Sequence, residues 1–227
     1  MGGEKMVNIV LCIPGSNFSR EFVMNLVRFV GEAIQLNIQI QLSMQYDAVV
    51  HFARAKCLGA NVLAGKNQRP FSNSTDYDFI MWIDSDIIFQ TNQIIQLLRH
   101  FHDKPSLEVV SGWYSMADGK STTMVRKWDY EYYKKHASFE FTTNEEMSKM
   151  TELVDCEYIG MGFMMMRRQV FEKLEYPWFY EPLQEINENV RDMCSEDVAF
   201  CKKLNRAGIK IWVDPKIRVG HQKLLTI

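Results

Sequence analysis

Two short acidic clusters supply the residue types that chemistry requires. Asp84 and Asp86 flank Ser85 in the run FIMWIDSDIIF (residues 79–89), and Glu196–Asp197 opens the segment SEDVAFCKKLNRAG (195–208). A buried carboxylate without a partner is costly, so acids set in so apolar a run must end the strand, meet a cation, or do both. Two acids at i and i+2 on a turn can divide the labour. One can hold a hard divalent cation such as Mg2+ or Mn2+, and the other a substrate hydroxyl or a metal-bound water. The ordinary alternative is a loop with two solvated acids; the apolar flanks favour the cation. Glu196 and Asp197 also have an ordinary reading, as acids favoured at a helix start by the macrodipole. A carboxylate fixed there could equally act as a general base toward a hydroxyl.

Single residues add weaker signals. Gly160 and Gly162 flank Met161 in an apolar stretch, where glycine permits a bulge or a close approach of backbone to ligand. Met164, Met165 and Met166 read as core filler. His221 follows Gly220 near the end of the chain; alone it reads as a surface or satisfied histidine, as do His51, His100, His102 and His136. Arg54 lies on a helical segment, ordinarily a solvated face. Trp113 and Tyr114 end a strand, where they could stack on a ligand ring or cap the core.

These groups matter only if the chain brings them together. Residues 7–14, VNIVLCIP, read as a buried strand closed by Pro14–Gly15. Residues 19–35 carry apolar side chains at three- and four-residue spacing, an amphipathic helix with Ser19 as its cap. The segment 37–45 alternates as a strand, 48–65 reads as a helix ending near Gly65, and 77–84 is an apolar strand. A helix runs from Thr91 to Asp103, and 107–115 is a further strand. From about Met116 to Glu152 the pattern is polar and aromatic, an irregular excursion of hairpins and a flap. Residues 156–174 read as a strand followed by a helix, 195–208 as a helix ended by Gly208, and 209–215 as the last strand. Strands alternating with helices indicate an α/β domain with a mostly parallel sheet, in which ligands bind outside the carboxyl ends of the strands. Asp84 and Asp86 fall at such an end. No repeat or low-complexity linker divides the chain, so one domain is expected.

At 227 residues and 47% hydrophobic content, the chain can bury a sizeable core. The net charge of −2, with dispersed Lys and Arg, argues against a nucleic-acid partner. Five scattered cysteines without a Cys-x-x-Cys pair suit reduced thiols better than disulfides or a zinc site. The N-terminal apolar run stops at Pro14, too short for a membrane span and without a signal-cleavage site. A soluble, cytoplasmic protein is expected.

Taken in order, the elements resemble the GT-A class of nucleotide-sugar glycosyltransferases, in particular family-2-like members, over nearly the whole chain. The resemblance rests on IPGS after the first strand, the pair Ala53–Arg54, WIDSDIIF, and YIGMGF. Its most specific stretch is SEDVAFCKKLNRAGIKIWVDPKIRVGH. Ala55 stands where the family often has Asn after the arginine. The resemblance implies a single GT-A, Rossmann-like domain over 1–227, nucleotide-binding to about 115 and acceptor-binding and catalytic beyond. It implies Mn2+ or Mg2+ on Asp86 and His221, with Asp84 on the ion, the ribose or a water. Pro14, Gly15, Arg54 and Ser85 would line the nucleotide and diphosphate pocket, and Trp113 and Gly162 would border the donor sugar. Asp197 would deprotonate the acceptor, with Glu196 the second choice, and the excursion would face a glycan or glycoprotein acceptor. The implied reaction is hexosyl transfer from a UDP- or GDP-sugar to a hydroxyl, with inversion. A haloacid-dehalogenase-like phosphatase also uses Asp-x-Asp after a strand, but Ile88 occupies the place where it commonly has Thr or Val. A nucleotidyltransferase usually carries a glycine-rich loop, and IPGSNFSRE is poor in glycine. A sugar-binding domain without catalysis is the remaining alternative; intact acids at both motifs count against it.

Overall fold

The computed structural model describes residues 6–180 and 183–223. In chain order its elements are β1 (Val7–Pro14), α1 (Arg20–Gln35), β2 (Ile38–Gln45), α2 (Val50–Cys57), β3 (Phe79–Ile83) and β4 (Ile87–Ile88). There follow α3 (Thr91–Asp103), β5 (Val109–Trp113), α4 (Tyr130–His136), α5 (Asn144–Lys149), β6 (Val154–Cys156) and β7 (Phe163–Arg167). The last five are β8 (Leu183–Asn187), β9 (Val190–Met193), α6 (Glu196–Arg206), β10 (Ile211–Arg218) and β11 (Gly220–His221).

Seven strands form the central sheet in the order β2-β1-β3-β7-β5-β10-β6. β1, β2, β3, β5 and β10 run one way; β7, inserted between β3 and β5, and β6 at the edge run the other. The continuous apolar runs of β3 and β7 belong to strands covered on both faces, where alternation with polar residues is not needed. Period-2 alternation then deals their side chains to two cores. Phe79, Met81 and Ile83 meet Phe22, Leu26 and Phe29 of α1 and Ile94, Leu97 and Phe101 of α3. Ile80 and Trp82 point the other way, into a core with Cys57 of α2, Phe200 and Leu204 of α6, and the excursion residues Tyr133, Phe139 and Met147.

Ser19 caps α1 as expected, its Oγ accepting from the Phe22 N–H at 3.0 Å. Two expected helices differ. The one over 48–65 ends at Cys57, because Gly59 takes a left-handed conformation (φ 71°) and only a 3-10 turn, Val62–Ala64, follows. After β7 the chain makes only the 3-10 turn Arg168–Val170. The carbonyls of Phe171 and Glu172 are taken by the Arg69 guanidinium at 3.0 and 3.2 Å, so they cannot continue a helix. The excursion holds α4, α5 and three isolated bridges. The β8–β9 hairpin was not signalled by the sequence. None of the five cysteines forms a disulfide. Among the described residues no helix is long and apolar enough to cross a membrane.

Two glycines should respond oppositely to alanine. A Cβ on Gly112 of β5 would stand 2.7 Å from Ile217 Cγ2 and 2.8 Å from the Ile217 carbonyl, so Gly112→Ala should cost about 1–3 kcal/mol. Gly31, on the outer face of α1, has no neighbour within 4 Å of such an atom; Gly31→Ala should stabilise by about 0.5–1 kcal/mol. Thermal melts of the two variants check both signs.

Candidate active site

Strand parity sets the first contact. Trp82 points toward α2 and α6, so two residues on, Asp84 faces the same side at the carboxyl end of β3. There it meets Arg54 of α2. The guanidinium Nη2 donates to Asp84 Oδ2 at 3.1 Å, and Nη1 stands 3.0 Å from Oδ1. On its other edge Nε donates to Glu196 Oε1 at 2.9 Å. Arg54 is 2% exposed and lies over the Trp82 ring. Burial would lower the Arg54 pKa, but Asp84 and Glu196 outweigh it and hold the value above the ordinary range. Arg54 thus ties β3, α2 and α6 together, and Glu196, buried at the start of α6, is committed to this bridge.

The second acid of the turn faces a different partner. β11 pairs antiparallel with β4, His221 opposite Ile87 and Gly220 opposite Ile88, which returns the chain end to the turn after β3. Here Gly220 serves close approach: a Cβ would lie 3.1 Å from Ile88 Cβ. His221 Nε2 comes to 3.2 Å from Asp86 Oδ2, and Lys223 Nζ donates to the same oxygen at 2.9 Å. Burial would raise the Asp86 pKa, but His221 and Lys223 bring it down to about 2. The Asp86 contact raises that of His221.

Among the described residues no three His, Cys, Asp or Glu side chains gather as a metal cluster; what faces a possible cation is a pair, Asp86 and His221. His221 Nδ1 lies 2.9 Å from the Ser115 carbonyl, which can only accept, so Nδ1 carries the proton. In the neutral ring Nε2 is then a bare lone pair aimed at a carboxylate. Two acceptors at that separation are stable only with a proton or a metal ion between them. A histidine whose far nitrogen donates to a backbone carbonyl is also the usual posture of a metal ligand.

Asp197 follows Glu196 in the first turn of α6, so the Arg54 bridge links it to the acidic turn. Its carboxylate accepts from Tyr158 Oη at 3.0 Å, from the Val198 N–H at 2.8 Å and from Ser195 Oγ. Burial first, then the charge of Glu196, raises its pKa above 3.8. Tyr114 is the next member of the site. Its ring meets His221 edge-on at 4.8 Å, and its hydroxyl accepts the Gly162 N–H at 3.2 Å. Burial, then Asp84 and Asp197, raise its pKa. Gly160 and Gly162 make room for it: a Cβ on either would come within 2.3 and 2.9 Å of the hydroxyl.

Gly15, at φ 141°, lets the end of β1 press on the acidic turn, where a Cβ would be 2.4 Å from Ser85 Oγ. Pro14 is buried at the end of β1. Trp113, expected beside the donor sugar, is instead part of the core: it is 3% exposed, and its Nε1 donates to the Pro215 carbonyl at 2.8 Å. The adjoining Tyr114, on the opposite face of β5, reaches the site. Sequence reasoning missed Tyr158 and Lys223. Tyr158 lay inside the quoted YIGMGF; Lys223 had no local signal.

A family model for glycosyltransferase-like family 2 matches residues 16–226. Among solved structures, A197 from STIV is similar with a TM-score of 0.55 and 16% identity, over 98% of this chain and 97% of that one. GalNAc-T7, solved with UDP, GalNAc and Mn2+, is similar with a TM-score of 0.51 and 12% identity. That match covers 97% of this chain but 44% of the other, so this chain spans less than half of it. At these identities the likeness shows the fold, which is of the GT-A type. A search of curated protein sequences returns no match.

Removing the bridging cation should be expensive. Arg54→Met leaves two carboxylates facing each other and should cost about 3–5 kcal/mol in urea denaturation. Arg54→Lys should recover only part, since one ammonium cannot reproduce a fork engaged on two edges. Adding Glu196→Gln to Arg54→Met should restore stability; no recovery would mean that the charge bridge is not the cause.

Proposed function

The chain belongs to the glycosyltransferase-like family 2, and on that premise we propose that it moves a hexose from a UDP- or GDP-sugar to a hydroxyl of a glycan or glycoprotein, with inversion. The observation that carries this reading is that the Arg54 bridge ties together the two acidic segments, the one whose Asp86 meets His221 and the one whose Asp197 meets Tyr158. The phosphatase reading needs a free nucleophile in Asp84, whose two oxygens are instead engaged by Arg54.

Asp86 and His221 would hold Mn2+ or Mg2+, which would supply positive charge where the diphosphate leaves. The solved GalNAc-T7 complex contains Mn2+ and UDP, which supports a cation in this fold. Pro14, Gly15 and Ser85 border the nucleotide side, and Asp84, fixed by Arg54, presents its outer edge to the ribose or a water. Tyr114 and Gly162 wall the donor sugar. Asp197 takes the acceptor proton. Its raised pKa makes it a stronger base than an ordinary aspartate, and the Tyr158 and Ser195 hydrogen bonds aim it. Glu196, neutralised by Arg54, is the weaker candidate for that role. The acceptor oxygen, losing its proton to this single base, would bond to the anomeric carbon from the face opposite the diphosphate as the sugar–phosphate bond breaks, which gives inversion.

Three outcomes are expected. Asp86→Ala should abolish most cation-dependent binding of UDP or GDP by calorimetry, and equal wild-type affinity with Mn2+ and with chelator would overturn the metal assignment. Asp197→Asn should retain nucleotide affinity but lose turnover by about 10²–10⁴. Since the base must be ionised, turnover at saturating cation should fall as pH drops through the raised Asp197 value. That acid limb should lie above 3.8, the ordinary aspartate value. NMR of the product anomer tests inversion.

A further inference from the structure

Lys223 contacts the carboxylate oxygen that the expected cation would use. Its ammonium sits 2.9 Å from Asp86 Oδ2, the same oxygen that faces His221 Nε2. The preceding residue is pinned to the same turn, the Gln222 N–H donating to the Asp86 carbonyl at 2.8 Å, so the lysine hangs on a short tether. Lys223 also borders two cavities. One, of about 370 Å3, is lined by Ser115, Arg218 and His221; the other, of about 400 Å3, by Asn17, Ser85 and Asp86; Lys223 lines both. Each is near the lower limit for a ligand cavity.

We propose that Lys223 is the resident counter-cation of the donor site, displaced from Asp86 by the divalent ion and then turned onto the diphosphate. This rests on the donor-site reading given above. A divalent cation needs the Asp86 oxygen that the ammonium occupies, so cation entry alone loses an ion pair. A nucleoside diphosphate returns one to the displaced lysine. Cation and nucleotide therefore favour each other's binding by the same factor, as linkage requires.

The test uses Mn2+ alone, followed by electron paramagnetic resonance, and UDP or GDP by calorimetry at saturating Mn2+. Lys223→Ala removes an exposed side chain and should leave the fold intact. It should bind Mn2+ alone roughly two- to fivefold more tightly, the range expected for losing one exposed ion pair. Its nucleotide affinity should fall, so that the coupling factor shrinks. Unchanged or weaker Mn2+ binding, or an unchanged coupling factor, overturns the role of Lys223. Asp86→Ala separates the two levels. If it leaves Mn2+ binding intact, or if neither nucleotide binds the wild type, the donor-site reading itself fails and the lysine proposal with it. If it abolishes Mn2+ binding while Lys223→Ala has no effect, only the lysine proposal fails.

Discussion

A guanidinium shut away from water, with a carboxylate on each of two edges, leaves little freedom to anything attached to it. Arg54 is in that position, and Asp84 and Glu196 come from the end of β3 and the start of α6, 112 residues apart (196 − 84). Neither acid could be buried so far without it, and Arg54 could not be buried without both. The bridge fixes where the acidic turn leaves the sheet and how far α6 approaches it. Everything chemical in the molecule is then placed by its distance from this point.

The bridge also separates the roles of four acids that are close in sequence two by two. Asp84 and Glu196 are spent on Arg54. Their neighbours are freed for different surroundings: Asp86 looks toward cations, which lower its pKa to about 2, and Asp197 toward tyrosine and serine hydroxyls under burial that raises it. One acid is thereby held in its charged form, and the other is made more basic than an ordinary aspartate. Adjacent carboxylates acquire opposite properties because the chain turns between them at Ser85 and because helix α6 presents successive residues 100° apart.

A second closure completes the arrangement. The short β11–β4 ladder brings His221 back across 135 residues (221 − 86) to Asp86, and Tyr114 fills the space between this pair and Asp197. The tyrosine fits only because Gly160 and Gly162 lack side chains. Backbone pairing, not side-chain affinity, therefore sets the Asp86–His221 separation.

Much of this was legible in the sequence. Local pattern alone placed the strands over 7–14, 37–45 and 77–84 and the helices beginning near Ser19, Thr91 and Ser195, because apolar periodicity and capping act between near neighbours. Asp84 and Asp86 stood out by residue type, since acids set in an apolar run must end the strand, meet a cation, or do both, whereas Glu196–Asp197 alone read as acids at a helix start. Sequence did not reveal where the helix over 48–65 stops or that residues 168–174 lack one; a left-handed glycine and a distant arginine decided those. Nor could it choose between Trp113 and Tyr114, whose faces depend on strand register, or find Lys223. Above all, it left Arg54 as an apparent surface residue. Its burial follows from packing α2 and α6 against one face of β3, a long-range pairing that no spacing along the chain encodes, because the energy of a buried ion pair exists only once both partners have been brought out of water together.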